Sequence, residues 1–276
     1  MNRKNELGRY LRARRAVVQP EDHGLPASPS RRVRGLRRGE VALLAGISPD
    51  YYLRLEQGRD QHPSGRVVDG LARALVLDEY AAGYLRRLAM AVRYHPPQRQ
   101  DEAVPAGIRQ LVLSRADIPA LVHDRHLDVL LANPLAAALL PSCVRGANLV
   151  RAAFLDPRVR ERYGEDWDRT ATELVATLRA LADPRSDDPV LTVLVERLSA
   201  RSPEFRCRWA RYDTQPPNCG VARITHPDIG RLTLHYQKLA LTGACGQMLV
   251  LYHADPGSHA AEALGLLAKS IVEIGT

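Results

Sequence analysis

Lysine is nearly missing from this chain of 276 residues: only Lys4, Lys238 and Lys269 occur among 39 basic side chains, and the rest are arginine. Phe and Trp are scarce as well, with two of each. Cysteine is limited to Cys143, Cys207, Cys219 and Cys245, and no two form a Cys-x-x-Cys pair. Disulfide scaffolds and zinc modules need denser or more regular spacing, so reduced thiols in a cytoplasmic protein are expected. His226, His235 and His253 lie near Cys219 and Cys245, but strand spacing accounts for them and no metal is expected. Long hydrophobic runs are also lacking. The longest, Val41 to Ile47, is far short of the roughly 18 residues that a membrane span needs. The opening Met1-Asn2-Arg3-Lys4-Asn5-Glu6 has no apolar segment behind it to serve as a secretory signal. No Gly-x-Ser-x-Gly, His-Glu-x-x-His, Walker loop or Gly-x-Gly-x-x-Gly occurs, so an enzyme is not expected.

What is present is an ordinary globular composition, 45% hydrophobic and 25% charged, at a length that suits two domains. The net charge of +8 is unevenly placed. Residues 1–38 hold eleven Lys/Arg against three Asp/Glu, while residues 39–95 and 96–276 each balance to zero. A basic end on a neutral body points to a polyanion-binding module attached to a differently employed partner.

In the N-terminal third, Leu7, Tyr10, Leu11 and Arg14 recur at helical spacing over residues 5–17. Gln19 to Ser30 carries three prolines and reads as a loop, running into the basic stretch Arg31-Arg32-Val33-Arg34-Gly35-Leu36-Arg37-Arg38. Such a run is either a solvated tail or a phosphate-contacting wing, and its place between two helices favours the wing. From Arg38, Val41, Ala42, Leu44 and Ala45 line one helix face that Gly46 stops. Ser48-Pro49 is a cap followed by proline at the first helical position, opening a helix to about Glu56. Two short helices joined by a Gly-containing turn make a helix-turn-helix. Further helices are expected from about Ser64 to Leu77 and from Glu79 to Val92.

Arg38-Gly39-Glu40-Val41-Ala42-Leu43-Leu44-Ala45-Gly46-Ile47-Ser48, with Tyr51-Tyr52-Leu53-Arg54-Leu55-Glu56-Gln57-Gly58-Arg59, closely resembles the XRE group of phage-type repressors. The extended basic loop and Asp50-Tyr51-Tyr52 narrow the resemblance to regulators similar to MmyB. It implies double-stranded DNA as partner, faced by Arg38, Pro49, Asp50, Tyr51 and Arg54, with Ser48 at the cap beside them. Pro49 and Asp50 stand where small or amide residues are usual. Arg54 can donate a bidentate pair to guanine, or form an i, i+4 pair with Asp50. Arg31, Arg32, Arg34 and Arg37 would neutralise phosphates or enter a narrow minor groove.

Around His95-Pro96-Pro97-Gln98-Arg99-Gln100-Asp101-Glu102 the pattern turns polar, which marks a domain boundary. A short helix is expected from Gly107 to Arg115, strands over Pro119–Asp124 and Leu127–Ala132, and a helix from Asn133-Pro134 to Leu140. Residues 148–212 read as helices: Asn148–Leu155, Asp166–Leu181, Asp188–Ser199 and Pro203–Arg211. Strands resume at Ala222–His226, Leu232–Tyr236 and Met248–His253, before a helix from Ala260 to Ile274. The pattern is that of an α+β domain with one sheet covered on one face. Leu130-Leu131-Ala132-Asn133-Pro134, Phe154-Leu155-Asp156-Pro157, Trp209-Ala210, His226-Pro227-Asp228-Ile229-Gly230 and Asp255-Pro256-Gly257-Ser258 extend the resemblance to MmyB-like regulators over nearly the whole chain.

The resulting expectation is a multi-domain protein. An all-α five-helix XRE-type helix-turn-helix domain (1–94) and a linker (95–106) precede an α+β PAS-like ligand-binding and dimerisation domain (107–276). The resemblance implies a homodimer on an inverted repeat and a lipophilic ligand such as a fatty acid. Candidate pocket walls are Phe154, Trp167, Phe205, Trp209, Leu234 and Tyr236, with Asn133, Arg179 and His226 as polar anchors. Aromatics at helical spacing also make plain core, Asn133 also reads as a helix cap, and His226 also reads as the brace of its His-Pro turn. No cofactor is expected. A haem sensor, an enzymatic module, or a ligand-free module that dimerises or contacts RNA polymerase are the alternatives for the C-terminal domain.

Overall fold

Asn5 caps the first helix of the N-terminal unit, its Oδ1 accepting from the Gly8 N–H at 3.1 Å. The computed structural model describes residues 5–25, 35–60, 62–89, 103–182, 188–214, 218–244 and 246–274, which fall into two units. In the first, α1 (Glu6–Val17) buries Leu7, Tyr10 and Leu11 as the i, i+3, i+4 pattern predicts. The proline-rich stretch after it contains a one-turn 3-10 helix (Pro20–His23) in place of plain loop, and His23 Nε2 donates to the Ala74 carbonyl at 2.9 Å. α2 (Arg38–Ala45) and α3 (Pro49–Gln57) are joined through Gly46, whose φ of 69° is left-handed and disfavours a Cβ. α4 (Gly65–Ala74) and α5 (Glu79–Ala89) complete the five helices. Leu11, Leu36, Val41, Tyr52, Leu55, Leu71 and Leu85 form their shared core. α1 lies close on α3 because Gly8 has no side chain; a Cβ there would stand 2.3 Å from the Glu56 carbonyl oxygen.

This unit also takes in residues 207–214 from far along the chain. Tyr212 is buried in the same core, its ring edge-on to Tyr10 at 6.2 Å. The Tyr212 hydroxyl donates to Glu6 Oε2 at 2.8 Å, and Arg14 pairs with Asp213 at 3.1 Å. Tyr212 holds φ at 58°, a region that a bulky residue enters only when its surroundings compel it.

The second unit opens with α6 (Ala106–Ser114), β1 (Ala120–His123) and β2 (Val129–Ala132). Then come α7 (Pro134–Leu139), α8 (Leu149–Leu155), α9 (Pro157–Tyr163), α10 (Trp167–Leu181), α11 (Pro189–Arg201) and α12 (Pro203–Ala210), the last leaving the unit after Arg206. β3 (Cys219–His226), β4 (Gly230–Ala240), β5 (Met248–His253) and α13 (His259–Ile274) close it. The strands form one antiparallel sheet in the order β2-β1-β5-β4-β3. Asn133, Asn148, Asp156 and Asp188 cap the helices that follow them, and three of the four precede a proline. The sequence reading leaves out α9, a seven-residue helix rich in charge, although Asp156-Pro157 carries the same signature as Asn133-Pro134.

Side-chain alternation sorts the sheet into two faces. Leu121, Ala222, Leu234, Tyr236 and Val250 pack with Leu139 and Leu264 on one face. Val122, Leu131 and Leu249, of opposite parity, pack with Val112 of α6 on the other. The expected single covered face therefore holds only where β3 and β4 alternate. β1, flanked by β2 and β5, is buried at every position.

Candidate functional site

The exposed front of α3 is built by its cap. Ser48 Oγ accepts from the Tyr51 N–H at 3.2 Å, and Pro49 fixes the first helical φ. Tyr52 and Leu55 point into the core, which turns Pro49, Asp50 and Arg54 outward and leaves Tyr51 half-buried. Of the two roles open to Arg54, the pair with Asp50 does not form; the guanidinium lies 5.4 Å from the Tyr51 ring centroid instead.

Behind this face stands Glu56, with no exposed surface. Its carboxylate accepts from Arg15 Nε at 2.6 Å and Arg38 Nε at 2.7 Å. Burial alone would raise its pKa, but the two arginine hydrogen bonds outweigh it and hold the carboxyl below its ordinary range. Arg15 also donates to the Leu36 carbonyl at 2.9 Å, so it is spent on structure. Arg38 is half-exposed and bound through Nε, which orients its guanidinium at the start of α2. Arg37 is exposed one residue earlier; Arg31, Arg32 and Arg34 lie outside the described residues.

In the second unit a cavity of about 50 Å³ lies between the sheet and α10. Leu121, Leu149, Leu174 and Val250 supply apolar wall, and one side is polar. Glu173 accepts from Arg169 at 2.6 Å and from the Tyr236 hydroxyl at 3.0 Å. Arg169 is further tied to Asp166 and to the Val221 carbonyl. Lys238 Nζ sits 3.5 Å from Thr177 Oγ1 and 5.1 Å from the Tyr236 ring centroid. Burial brings the Lys238 pKa down to about 8, with Glu173 offsetting part of the fall. Burial likewise takes His123 down to about 4, against the bond from its Nδ1 to the Asp124 carbonyl at 2.7 Å, and Lys238 adds to the fall. The ring is therefore neutral at pH 7.

Residues 104–267 match the family model described as MmyB-like transcription regulator ligand binding domain, and residues 6–81 match a helix-turn-helix domain. The chain belongs to the MmyB-like regulators. No curated protein matches it closely.

For an MmyB-like regulator the family assigns two tasks, DNA binding and ligand binding, and neither is catalytic. Of the nine residues expected around the ligand, Tyr236 lines the cavity. Phe154, Trp167 and Phe205 form a separate cluster with centroids 5.8 and 5.3 Å apart, and Trp167 Nε1 donates to the Ala153 carbonyl at 2.8 Å. Asn133 is fully engaged: Oδ1 accepts from the Ala136 and Ala120 N–H groups, and Nδ2 donates to the Arg115 and Ile118 carbonyls. His226 accepts from the Asp228 N–H and donates to the Ala138 carbonyl, which braces the β3–β4 hairpin. Arg179 is buried within α10, Leu234 is core, and Trp209 is half-buried in the segment that joins the first unit.

Sequence reasoning passed over Lys238, Glu173, His123 and Thr177. A signal for Lys238 was present. Leu232, Leu234, Tyr236 and Lys238 alternate along β4 and share a face, so a strand read to Tyr236 stops one inward position too early. The β1–β2 turn gathers Asp124, His126 and Asp128. Their atoms are occupied: Asp124 Oδ1 accepts from the His126 and Asp128 N–H groups, Asn148 donates to Asp128, and His126 Nε2 donates to Asp188 at 2.8 Å. His126 loses affinity for protons by burial but gains more from the two aspartates, and its pKa rises to about 9. These hydrogen bonds and the ion pairs with Asp124 and Asp188 lock the turn.

Proposed function

We propose that this DNA-binding regulator reads a specific inverted repeat as a homodimer, and that its PAS-like domain senses a small lipophilic ligand such as a fatty acid. The carrying observation is the outward face of α3, where Arg54 projects free of Asp50 above a half-buried Tyr51. A dimer would set two such helices about 34 Å apart in successive major grooves. Arg54 is assigned to a guanine edge, Tyr51 and Ser48 to sugar or phosphate, and Asp50 to cytosine N4 or a neighbouring arginine, with Pro49 packing beside them. Arg31, Arg32, Arg34, Arg37 and Arg38 are assigned to the backbone. Because their term is electrostatic, it is salt-dependent and blind to sequence. The protein works in the cytoplasm, where its operator lies, and a contact with RNA polymerase would carry its effect to transcription. No helix among the described residues is long and apolar enough to cross a membrane.

The match of residues 104–267 to a ligand binding domain supports the sensing role, and the cavity between sheet and α10 is the candidate place for the ligand. At about 50 Å³ it is well below the ~300–1,000 Å³ usual for occupied sites, so an acyl chain would enter by displacing side chains along α10. The deciding test of the DNA assignment is Arg54→Ala, measured on a selected operator and on random DNA at one salt concentration. Loss of a guanine contact costs about 1–3 kcal/mol on the operator alone. Equal losses on both would refute base readout by Arg54.

A further inference from the structure

We infer that α12 relays the state of the second unit to the operator-binding face of the first, with Tyr212, just past its end, as the residue that positions α1. That the relay carries a ligand's signal rests on reading the second unit as the sensor.

At its start α12 is gripped by rings. Phe205, in its first turn, is fully buried and stands edge-on to Phe154 of α8 at 5.3 Å. Phe154 in turn meets Trp167 at 5.8 Å. Trp167 opens α10, the helix that lines the cavity. A close-packed cluster has no slack to absorb a shift, so a ligand that displaces α10 also moves the rings that hold Phe205.

Beyond Arg206 the chain belongs to the first unit, and Tyr212 is buried in its core. The partners on α1 form one stripe at i, i+4 and i+8. Glu6 accepts from the Tyr212 hydroxyl at 2.8 Å, Tyr10 meets its ring, and Arg14 pairs with Asp213 at 3.1 Å. The φ of 58° at Tyr212 is a strained conformation that the seat must enforce, so a withdrawn state relieves it. Seating reaches the recognition face through Glu56. Asn5 and Arg15, at the two ends of α1, bind the Glu56 carbonyl at 2.9 Å and its carboxylate at 2.6 Å, and that carboxylate orients Arg38. Tyr212 thus acts on DNA binding through α1, and its withdrawal lowers operator affinity.

The test uses the full-length protein carrying Trp209→Phe, which leaves Trp167 as its one tryptophan. Trp167 is buried with Arg160 at 3.8 Å from its ring centroid, so its emission reports a shift in the cluster. Because coupling is reciprocal, an operator selected from random duplexes should change that emission in step with binding, although the first unit holds the DNA. Tyr212→Leu should abolish the change and weaken operator binding about fivefold or more, while Tyr212→Phe keeps the emission change. Phe205→Leu should weaken binding by a similar factor, and by less than about twofold further once Tyr212→Leu is present. Unchanged Trp167 emission at operator saturation overturns the relay, and this result needs no variant at Tyr212 that could fail to fold. Losses from Phe205→Leu and Tyr212→Leu that simply multiply overturn the part given to α12. No small molecule enters these measurements. A thermal-shift screen of fatty acids checks the sensor separately, and stabilisation beside a silent Trp167 would leave the sensor standing without the relay.

Discussion

Replacing Glu56 with glutamine tests whether the recognition face is held from behind. The carboxylate is wholly buried between Arg15 and Arg38, at 2.6 and 2.7 Å. The two arms differ in worth. Arg38 is 51% exposed, so water screens it and its pair contributes at most about 1 kcal/mol. The Arg15 side chain is 13% exposed; losing its counter-charge leaves a nearly buried cation, for which about 3–5 kcal/mol is typical. Glu56→Gln keeps the shape and one acceptor oxygen, so the expected loss is about 3 kcal/mol, concentrated on the Arg15 side. Amide hydrogen exchange along α1 and α3, in the full-length protein, reads this locally. Operator affinity should fall as well, because Arg38 loses the bond that aims it. The native contribution should also be pH-dependent in one direction. A carboxyl whose folded pKa lies below its unfolded value stabilises above the unfolded value, near 4.5, and loses that stabilisation as pH falls through the folded one. Exchange in α1 within about 0.5 kcal/mol of the native chain, with unchanged operator affinity, would refute the clamp.

His126 is raised to about 9 by Asp124 and Asp188, so its stabilisation is complete below about 6.5 and is lost as pH rises through 9. Urea unfolding of the second unit should weaken by up to about 3 kcal/mol across that window, and His126→Gln should flatten the dependence; an unchanged slope in the variant would count against the turn lock. Tyr212→Ala removes a buried ring from the first unit and should cost about 3–5 kcal/mol, seen as faster exchange in α1, whereas Tyr212→Phe should lose only the bond to Glu6. Native exchange rates in Tyr212→Ala would show the segment to be peripheral. Gly8→Ala should destabilise by about 1–3 kcal/mol in spite of alanine's better helix propensity, because its Cβ meets the Glu56 carbonyl oxygen. A higher thermal midpoint would reverse that judgement.

Local chemistry was legible wherever one residue forces a conformation. Gly46 and Ser48-Pro49 marked the turn between α2 and α3, and Asn133-Pro134 marked the start of α7. Asp156-Pro157 says the same of α9, but seven residues dominated by charge lack the apolar period that makes a helix recognisable. The outward residues of α3 were legible because Tyr52 and Leu55 define the opposite side. The cavity was harder to foresee. Its polar side joins β4 to α10 across some sixty residues, and nothing local to Glu173 or Thr177 reports that pairing. Bulky aromatics drew the eye to Phe154, Trp167 and Phe205, which satisfy one another. Glu56 is the counterpart in the first unit: its burial follows from Arg15 and Arg38 converging on it, which no spacing rule encodes.

Residues 207–214 set a timetable for making the protein. The five helices are all synthesised by Ala89, yet of the two rings packed on Tyr10, those of Tyr84 and Tyr212, the second follows more than a hundred residues later. At roughly 5–20 residues per second the ribosome needs on the order of 6–25 s to supply it. Until then the seat of Tyr212 on α1 is empty, and Glu6 and Arg14 lack their bonds to Tyr212 and Asp213. A nascent chain thus finishes its DNA-binding unit only after most of its ligand-binding domain has left the ribosome.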